Sequence, residues 1–513
     1  MAKLFVCDSE KTAVQTKHGK LKGFMEDGVY KFYGIKYANA KRWQMPEDVE
    51  DWEGVKDALG YGYVSPMLNQ DVPGSGELKV PHRYWPMDEN CQFLNVWTAS
   101  IEKGVKKPVM VWYHGGGFAA GSSIEQVCYD GTNLALKDDV VVVTVNHRLN
   151  ILGYLDVSAY GEEYWNSANV GNADLVASLK WVNENIAAFG GDPENVTIFG
   201  QSGGGMKVCS LMQTPAADGL FQHGIMMSGY IDSPDDMPEE GGKPLVEALL
   251  KETGAADIKA LAELPYACLA EAYKKVSPAL REAGKYVGGN PVKNCWYMGN
   301  PLRSGWTENA KKVDLLIGSV LDEMKGFMLP RPDRNTMSKE EAKAMVAAEY
   351  GDKADLAIEL FEKAYPGKNL CDLMAIDTLF RPDKIKLIES RAKECSAPTF
   401  SYVFAFDFPY ETGNGAWHCS DIPFAFHNAE LVPVCNVPGV SDLLEHRYSA
   451  AYTNFAKYGN PSDPSLPAWP ACEPGKEYCM VFDVDCAVRE NHDHELVLLA
   501  KENAANVRVK IEH

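Results

Sequence analysis

Residues 195–205 read Asn-Val-Thr-Ile-Phe-Gly200-Gln-Ser202-Gly-Gly204-Gly205. An apolar run leads into a Gly-x-Ser-x-Gly turn, and residues 206–212 after it suit a helix. The arrangement holds a serine in a strained strand-to-helix turn, with Gly200 and Gly204 giving strand and helix room to approach. With 44 glycines in 513 residues, chance supplies roughly 0.2 such pentapeptides, so the flanking strand and helix carry the signal. A second cluster, residues 109–118, reads Val-Met-Val-Trp-Tyr-His114-Gly115-Gly116-Gly117-Phe118. Three glycines after a buried strand expose N–H groups that a sheet ladder leaves unsatisfied. They make either a flexible turn or an oxyanion hole. In the second case their donors, with the N–H of Gly203, point at a carbonyl oxygen becoming negative. Together the two clusters suit acyl transfer through a serine nucleophile.

The elements that must carry these residues follow from the apolar runs at 93–97, 108–113, 140–145, 196–199, 224–227 and 315–317. Such runs predict strands buried on both faces of a sheet. Helical patterns lie between them, the clearest at 172–189, where Leu175, Leu179, Val182 and Ile186 recur at helical spacing. Alternating strands and helices predict an α/β sheet. Residues 13–38 predict short antiparallel strands at its edge, and further strands are expected at 399–406 and 478–484. Residues from about 235 to 310 and from about 325 to 395 are rich in Ala, Glu, Lys and Leu and predict helical insertions. The charged tail, 489–513, is expected to be helical. With apolar strands on both sides of each insertion and no repeat or linker, residues 1–513 are expected to form one domain.

Composition narrows the partners. Hydrophobic residues at 46% and charged residues at 24% describe a folded globular chain. The formal charge of −21 repels phosphate backbones and anionic lipid, which disfavours nucleic acid. No run is long enough to span a membrane, and the N-terminus lacks a secretory core, so the cytoplasm is expected. Thirteen scattered cysteines without a CxxC pair or Cys/His cluster read as reduced structural thiols, with no metal. The Asn195-Val196-Thr197 triplet falls in a predicted buried strand, where a glycan would not fit.

Several ordered blocks resemble the type-B carboxylesterases, the family of the cholinesterases and para-nitrobenzyl esterases. They are Tyr33-Gly-Ile-Lys-Tyr-Ala38, Glu89-Asn-Cys-Gln-Phe-Leu-Asn-Val96, His114 to Phe118, Val145-Asn-His-Arg-Leu149, residues 169–181 and 189–205, Met227-Ser-Gly229, and Thr453 to Pro461. The resemblance covers most of the chain. It implies an α/β-hydrolase fold: a central, mostly parallel sheet flanked by helices. It further implies that Glu323, in Gly318-Ser-Val-Leu-Asp-Glu323, is the relay acid, with neighbouring Asp322 as the alternative. His418, in Gly415-Ala-Trp-His-Cys-Ser-Asp-Ile-Pro-Phe424, is the expected base. The order Ser202, Glu323, His418 is that of α/β-hydrolases. The function implied is carboxylic-ester hydrolysis of small to medium neutral esters through an acyl-enzyme, with Gly116, Gly117 and Gly203 binding the oxyanion. No cofactor or metal is implied, and the partner is a small-molecule ester. Competing readings are a catalytically dead adhesion-type relative, a thioesterase, or an esterase for acylated sugars or aryl conjugates.

The chain departs from the family at Gln201, where glutamate is usual and would pair with the arginine matching Arg148. Gln201 is expected to hydrogen-bond that guanidinium while another carboxylate, Asp174, shares its charge. Gly203 replaces a common alanine, Asn90 an aspartate and Lys36 a proline. Secreted relatives bridge the cysteine matching Cys91 to one about 25 residues upstream, a region that has none here, which favours a reducing compartment. Trp85 is too close to Cys91 to match the choline-binding tryptophan of cholinesterases. Cys419, next to His418, is expected near the site or as a small packed residue.

Overall fold

The computed structural model describes residues 4–68, 79–327, 333–409 and 413–503. Its strands, in chain order, begin with β1 (Phe5–Val6), β2 (Ala13–Gln15), β3 (Lys20–Lys22), β4 (Phe24–Glu26), β5 (Val29–Lys36) and β6 (Val55–Asp57). Next come β7 (Phe93–Thr98), β8 (Lys107–Tyr113), β9 (Val141–Val145), β10 (Gly191–Gln201) and β11 (His223–Met227). The last are β12 (Asp314–Val320), β13 (Thr399–Phe404), β14 (Tyr478–Phe482) and β15 (Ala487–Glu490). Twelve of these form one sheet in the order β1-β4-β5-β7-β9-β8-β10-β11-β12-β13-β14-β15, and β2, β3 and β6 form a small second sheet. From β9 to β14 every pairing is parallel. Antiparallel strands close both edges. The fold is that of an α/β-hydrolase.

Side chains alternate across the pleat, and both faces are covered. On β8, Val109, Val111 and Tyr113 join one core, with Leu175, Leu179, Val182 and Ile186. Met110 and Trp112 join the opposite core, with Leu444, Tyr448, Tyr452 and Phe455. Each fully buried aliphatic side chain contributes about 1.5–3 kcal/mol relative to exposure. The predicted helix at 172–189 runs Val170–Asn185 and then tightens to a 3-10 turn, Ile186–Phe189, which Gly190 ends at φ +78°.

Residues 235–310 carry helices Lys243–Thr253, Ile258–Glu263, Tyr266–Glu282 and Pro301–Ser304. A third apolar cluster joins Leu245, Leu249, Leu269 and Tyr273 to Trp43 and Ile151. Residues 325–395 carry Lys339–Tyr350, Ala354–Ala364 and Arg381–Glu394, the first opened by a capping box between Ser338 and Glu341. The tail departs from expectation. Arg489 and Glu490 lie in β15, ahead of a helix at His494–Asn503; residues 504–513 lie outside the described residues. An edge strand needs only backbone pairing with β14, so it carries no apolar signal.

Candidate active site

The site gathers at the carboxyl ends of parallel strands, where α/β sheets present their ligand-binding crevice. Ser202 follows β10 at φ +57° and ψ −124°, a conformation a side-chain-bearing residue adopts only under strain of about 1–3 kcal/mol. Its N–H donates to the Met227 carbonyl at 2.8 Å, and its own carbonyl accepts from Met206 N–H at 3.1 Å. The helix it starts, Gly203–Met212, crosses so close to β8 that a Cβ on Gly204 would lie 2.0 Å from the Tyr113 carbonyl oxygen. Gly200 is equally confined, at 2.5 Å from the Gly204 carbonyl carbon.

The glycine loop leaves β8 on this side. Gly116 and Gly117 take φ of +80° and +63°, which bulkier residues rarely adopt. The Gly116 carbonyl accepts from Ala119 and Ala120 N–H at 3.1 and 3.0 Å. A Cβ on Gly203 would lie 2.3 Å from Gly117 N and 2.2 Å from its oxygen. Glycine in place of the common alanine thus lets the loop rest directly against the start of the helix.

Glu323 follows β12 and His418 lies in the loop after β13, both buried. His418 Nδ1 stands 2.5 Å from Glu323 Oε2, while Glu323 Oε1 accepts the Val320 N–H at 2.9 Å. An ionised carboxylate only accepts, so it fixes the proton on Nδ1 and leaves Nε2 as the basic nitrogen. The ring lies parallel to Phe380, 5.2 Å between centroids with 4° between planes, and Phe327 covers it at 4.9 Å. Burial opposes a charge on His418, but Cys419 and the Glu323 carboxylate outweigh it, and the ring is held well above the ordinary histidine range. Asp322 faces the other way. Its Oδ2 accepts from Lys325 Nζ at 2.8 Å, and burial pushes it up to about 7 against the pull of that lysine.

Gln201 does not meet Arg148, contrary to the sequence expectation. Arg148 is held by Asp174, at 2.8 Å from Nε and 2.7 Å from Nη2, and by the carbonyls of Lys41, Gln44 and Val170. Gln201 turns instead to His418. Its Nε2 lies 3.2 Å from His418 Nε2 and 3.3 Å from Nδ1, and its Oε1 accepts the Cys419 thiol at 3.2 Å. Among the described residues no hydrogen bond joins the Ser202 hydroxyl to the ring; such bonds often close only with substrate present. Behind the glycine loop lies a residue the sequence reading passed over, fully buried Lys207, whose Nζ donates to the His114 carbonyl at 2.8 Å. Burial draws this lysine down to about 7. A lone cation among small and apolar helix positions was its sequence signal.

Two groups of potential metal ligands occur among the described residues, His18/Asp48/Glu184 and Glu477/Asp493/His494. Lys17 already bridges Asp48 and Glu184, and Arg381 pairs with Glu477 and Asp493. Neither lies among the groups described above.

Residues 10–497 match the model of the Carboxylesterase family. The chain belongs to that family. It is 34% identical over 496 residues to the para-nitrobenzyl esterase of Bacillus subtilis, covering 94% of this chain and 97% of that protein. It is 30% identical to the phenmedipham hydrolase of Pseudarthrobacter oxydans, covering 89% and 92%. Among solved structures, an esterase from anaerobic Clostridium hathewayi that can hydrolyze aliphatic aromatic polyesters superposes with a TM-score of 0.94 at 49% identity, covering 98% of this chain and all of that one. This carboxylesterase is a serine carboxylic-ester hydrolase. No helix among its described residues is long and apolar enough to cross a membrane.

Proposed function

We propose that Ser202 is the nucleophile, His418 the base and Glu323 the acid that orients it, with the N–H groups of Gly116, Gly117 and Gly203 receiving the oxyanion. The observation that carries this reading is the buried pair of His418 Nδ1 and Glu323 Oε2, 2.5 Å apart, on the same sheet edge as a strained serine. Neutral His418 takes the Ser202 proton as the oxygen attacks the ester carbonyl, and the imidazolium then protonates the departing alcohol. Water repeats the steps on the acyl-enzyme and releases the acid. Ser202→Ala is expected to remove hydrolysis, leaving the modest acceleration that binding and the oxyanion donors supply, with the fold retained. A fluorophosphonate probe should label Ser202 alone; a label elsewhere sinks the assignment.

Small to medium neutral esters are the proposed substrates. The Clostridium hathewayi relative favours a second reading, in which the site also accepts ester bonds of aliphatic aromatic polyesters. A panel of aliphatic and aryl esters run beside such a polyester decides between the two. We also infer a single folding unit, since strands before and after each helical insertion pair in one sheet. A reducing compartment, the cytoplasm, is supported by the thirteen free thiols.

A further inference from the structure

Residues 113–117 lie along one face of the helix Gly203–Met212. A Cβ on Gly203 would strike Gly117, one on Gly204 would strike the Tyr113 carbonyl, and Lys207 Nζ binds the His114 carbonyl at 2.8 Å. Lys207 is four residues beyond Gly203, one turn along that same face. Its hydrogen bond therefore takes hold of the last peptide before Gly115. The adjoining groups offer it no full counter-charge. His114 and His147 stack beside the loop with ring centroids 5.3 Å apart, and their Nδ1 atoms lie 2.9 Å from the carbonyls of Gly115 and Arg148. The Glu125 carboxylate pulls on Lys207 from a distance, and no ion pair reaches Lys207 among the described residues. A buried amine without an ion pair, charged or driven neutral, is a costly group, and an apolar side chain of similar volume would avoid that cost. Stability alone does not account for it.

We propose that Lys207 is a positioning residue for ester hydrolysis: by anchoring the His114 carbonyl it fixes the peptide plane from which the Gly115–Gly117 loop departs, and so aims the oxyanion donors. This rests on the reading of Gly116 and Gly117 given above. An ester in its ground state needs little from those donors, whereas the tetrahedral oxyanion depends on them, so the contribution falls on turnover rather than on substrate binding.

The test uses Lys207→Met, which keeps volume and removes the donor, and Lys207→Gln, which keeps a donor without the charge. Fluorophosphonate labelling of Ser202 in each variant comes first, because loss of the label in the unaltered protein would mean that the serine reading itself has failed. In unlabelled, folded Lys207→Met from a preparation shown to label at Ser202, kcat should fall about tenfold or more, while KM stays within about twofold. Affinity for a trifluoromethyl ketone, which forms the tetrahedral oxyanion on the serine, should fall by the same factor as kcat. Melting should occur at the original temperature or above. Unchanged kcat and unchanged ketone affinity in a protein that labels normally would overturn the proposal, as would a fall in KM-type binding with turnover intact. If Lys207→Met does not fold, the same two readings on Lys207→Leu, which also removes the donor, decide the matter, and Lys207→Gln should keep kcat closer to that of the unaltered protein.

Discussion

At the scale of single residues, the two acids side by side in the chain, Asp322 and Glu323, are sorted by their partners. Glu323 meets His418, and Asp322 is spent on Lys325. Glu323→Gln should therefore cut kcat by about a thousandfold or more through loss of tautomer control. Asp322→Asn should be far milder, and steady-state kinetics of the pair would expose a one-residue error in the acid if the effects were reversed. His418 makes a second prediction. In the proposed mechanism hydrolysis needs neutral His418, so activity should be lost as pH falls through its folded pKa. Because that value is raised above 6.5, the acid limb of kcat/KM should lie on the alkaline side of an ordinary histidine.

At the scale of elements, the turn at Ser202 depends on how closely a helix and a loop approach. Gly203→Ala restores the residue common in the family, yet here its Cβ would press on the backbone of Gly117, which has no flexible end to yield. The loop must shift, so kcat should drop by about 10–100-fold and the melting temperature should fall with it, both measured on the purified variant. A helix supports His418 in a comparable way. Asp377 accepts the N–H groups of Leu379, Phe380 and Arg381, setting the start of Arg381–Glu394 and holding Phe380 on the His418 ring. Arg381 then ties this helix to Glu477 and Asp493 at 2.6 and 2.5 Å, all three buried. Arg381→Met would strand two buried carboxylates and destabilise by about 3–5 kcal/mol, visible as a lowered denaturation midpoint. Much of this was readable in the sequence, because doubly buried parallel strands such as β9, Val-Val-Val-Thr-Val, have no other use for their composition. Strand β15 was not, since an edge strand holding Arg489 and Glu490 is specified by backbone pairing alone. The partner of Gln201 was not legible either. A side chain beside a strained serine goes where tertiary geometry leaves a donor or acceptor, and Asp174 had already satisfied Arg148.

At the scale of the whole molecule, the sheet draws the site together from distant parts of the chain: Glu323 and His418 are 95 residues apart, yet both follow adjacent strands, β12 and β13. The same topology leaves β13 needing a partner on its far side, and that partner, β14, begins only at Tyr478. All six residues of β13 are buried in the finished fold. During synthesis on the ribosome the chain thus releases Ser202, Glu323 and His418 in turn, and still carries an open, apolar strand edge. Such an edge is a template for pairing with another chain. Arg381 also waits through this interval, because Glu477 and Asp493 have yet to emerge. A chain halted between His418 and Tyr478 would hold all three proposed catalytic residues with this strand edge still uncovered, and in the finished fold it is β14 that covers it.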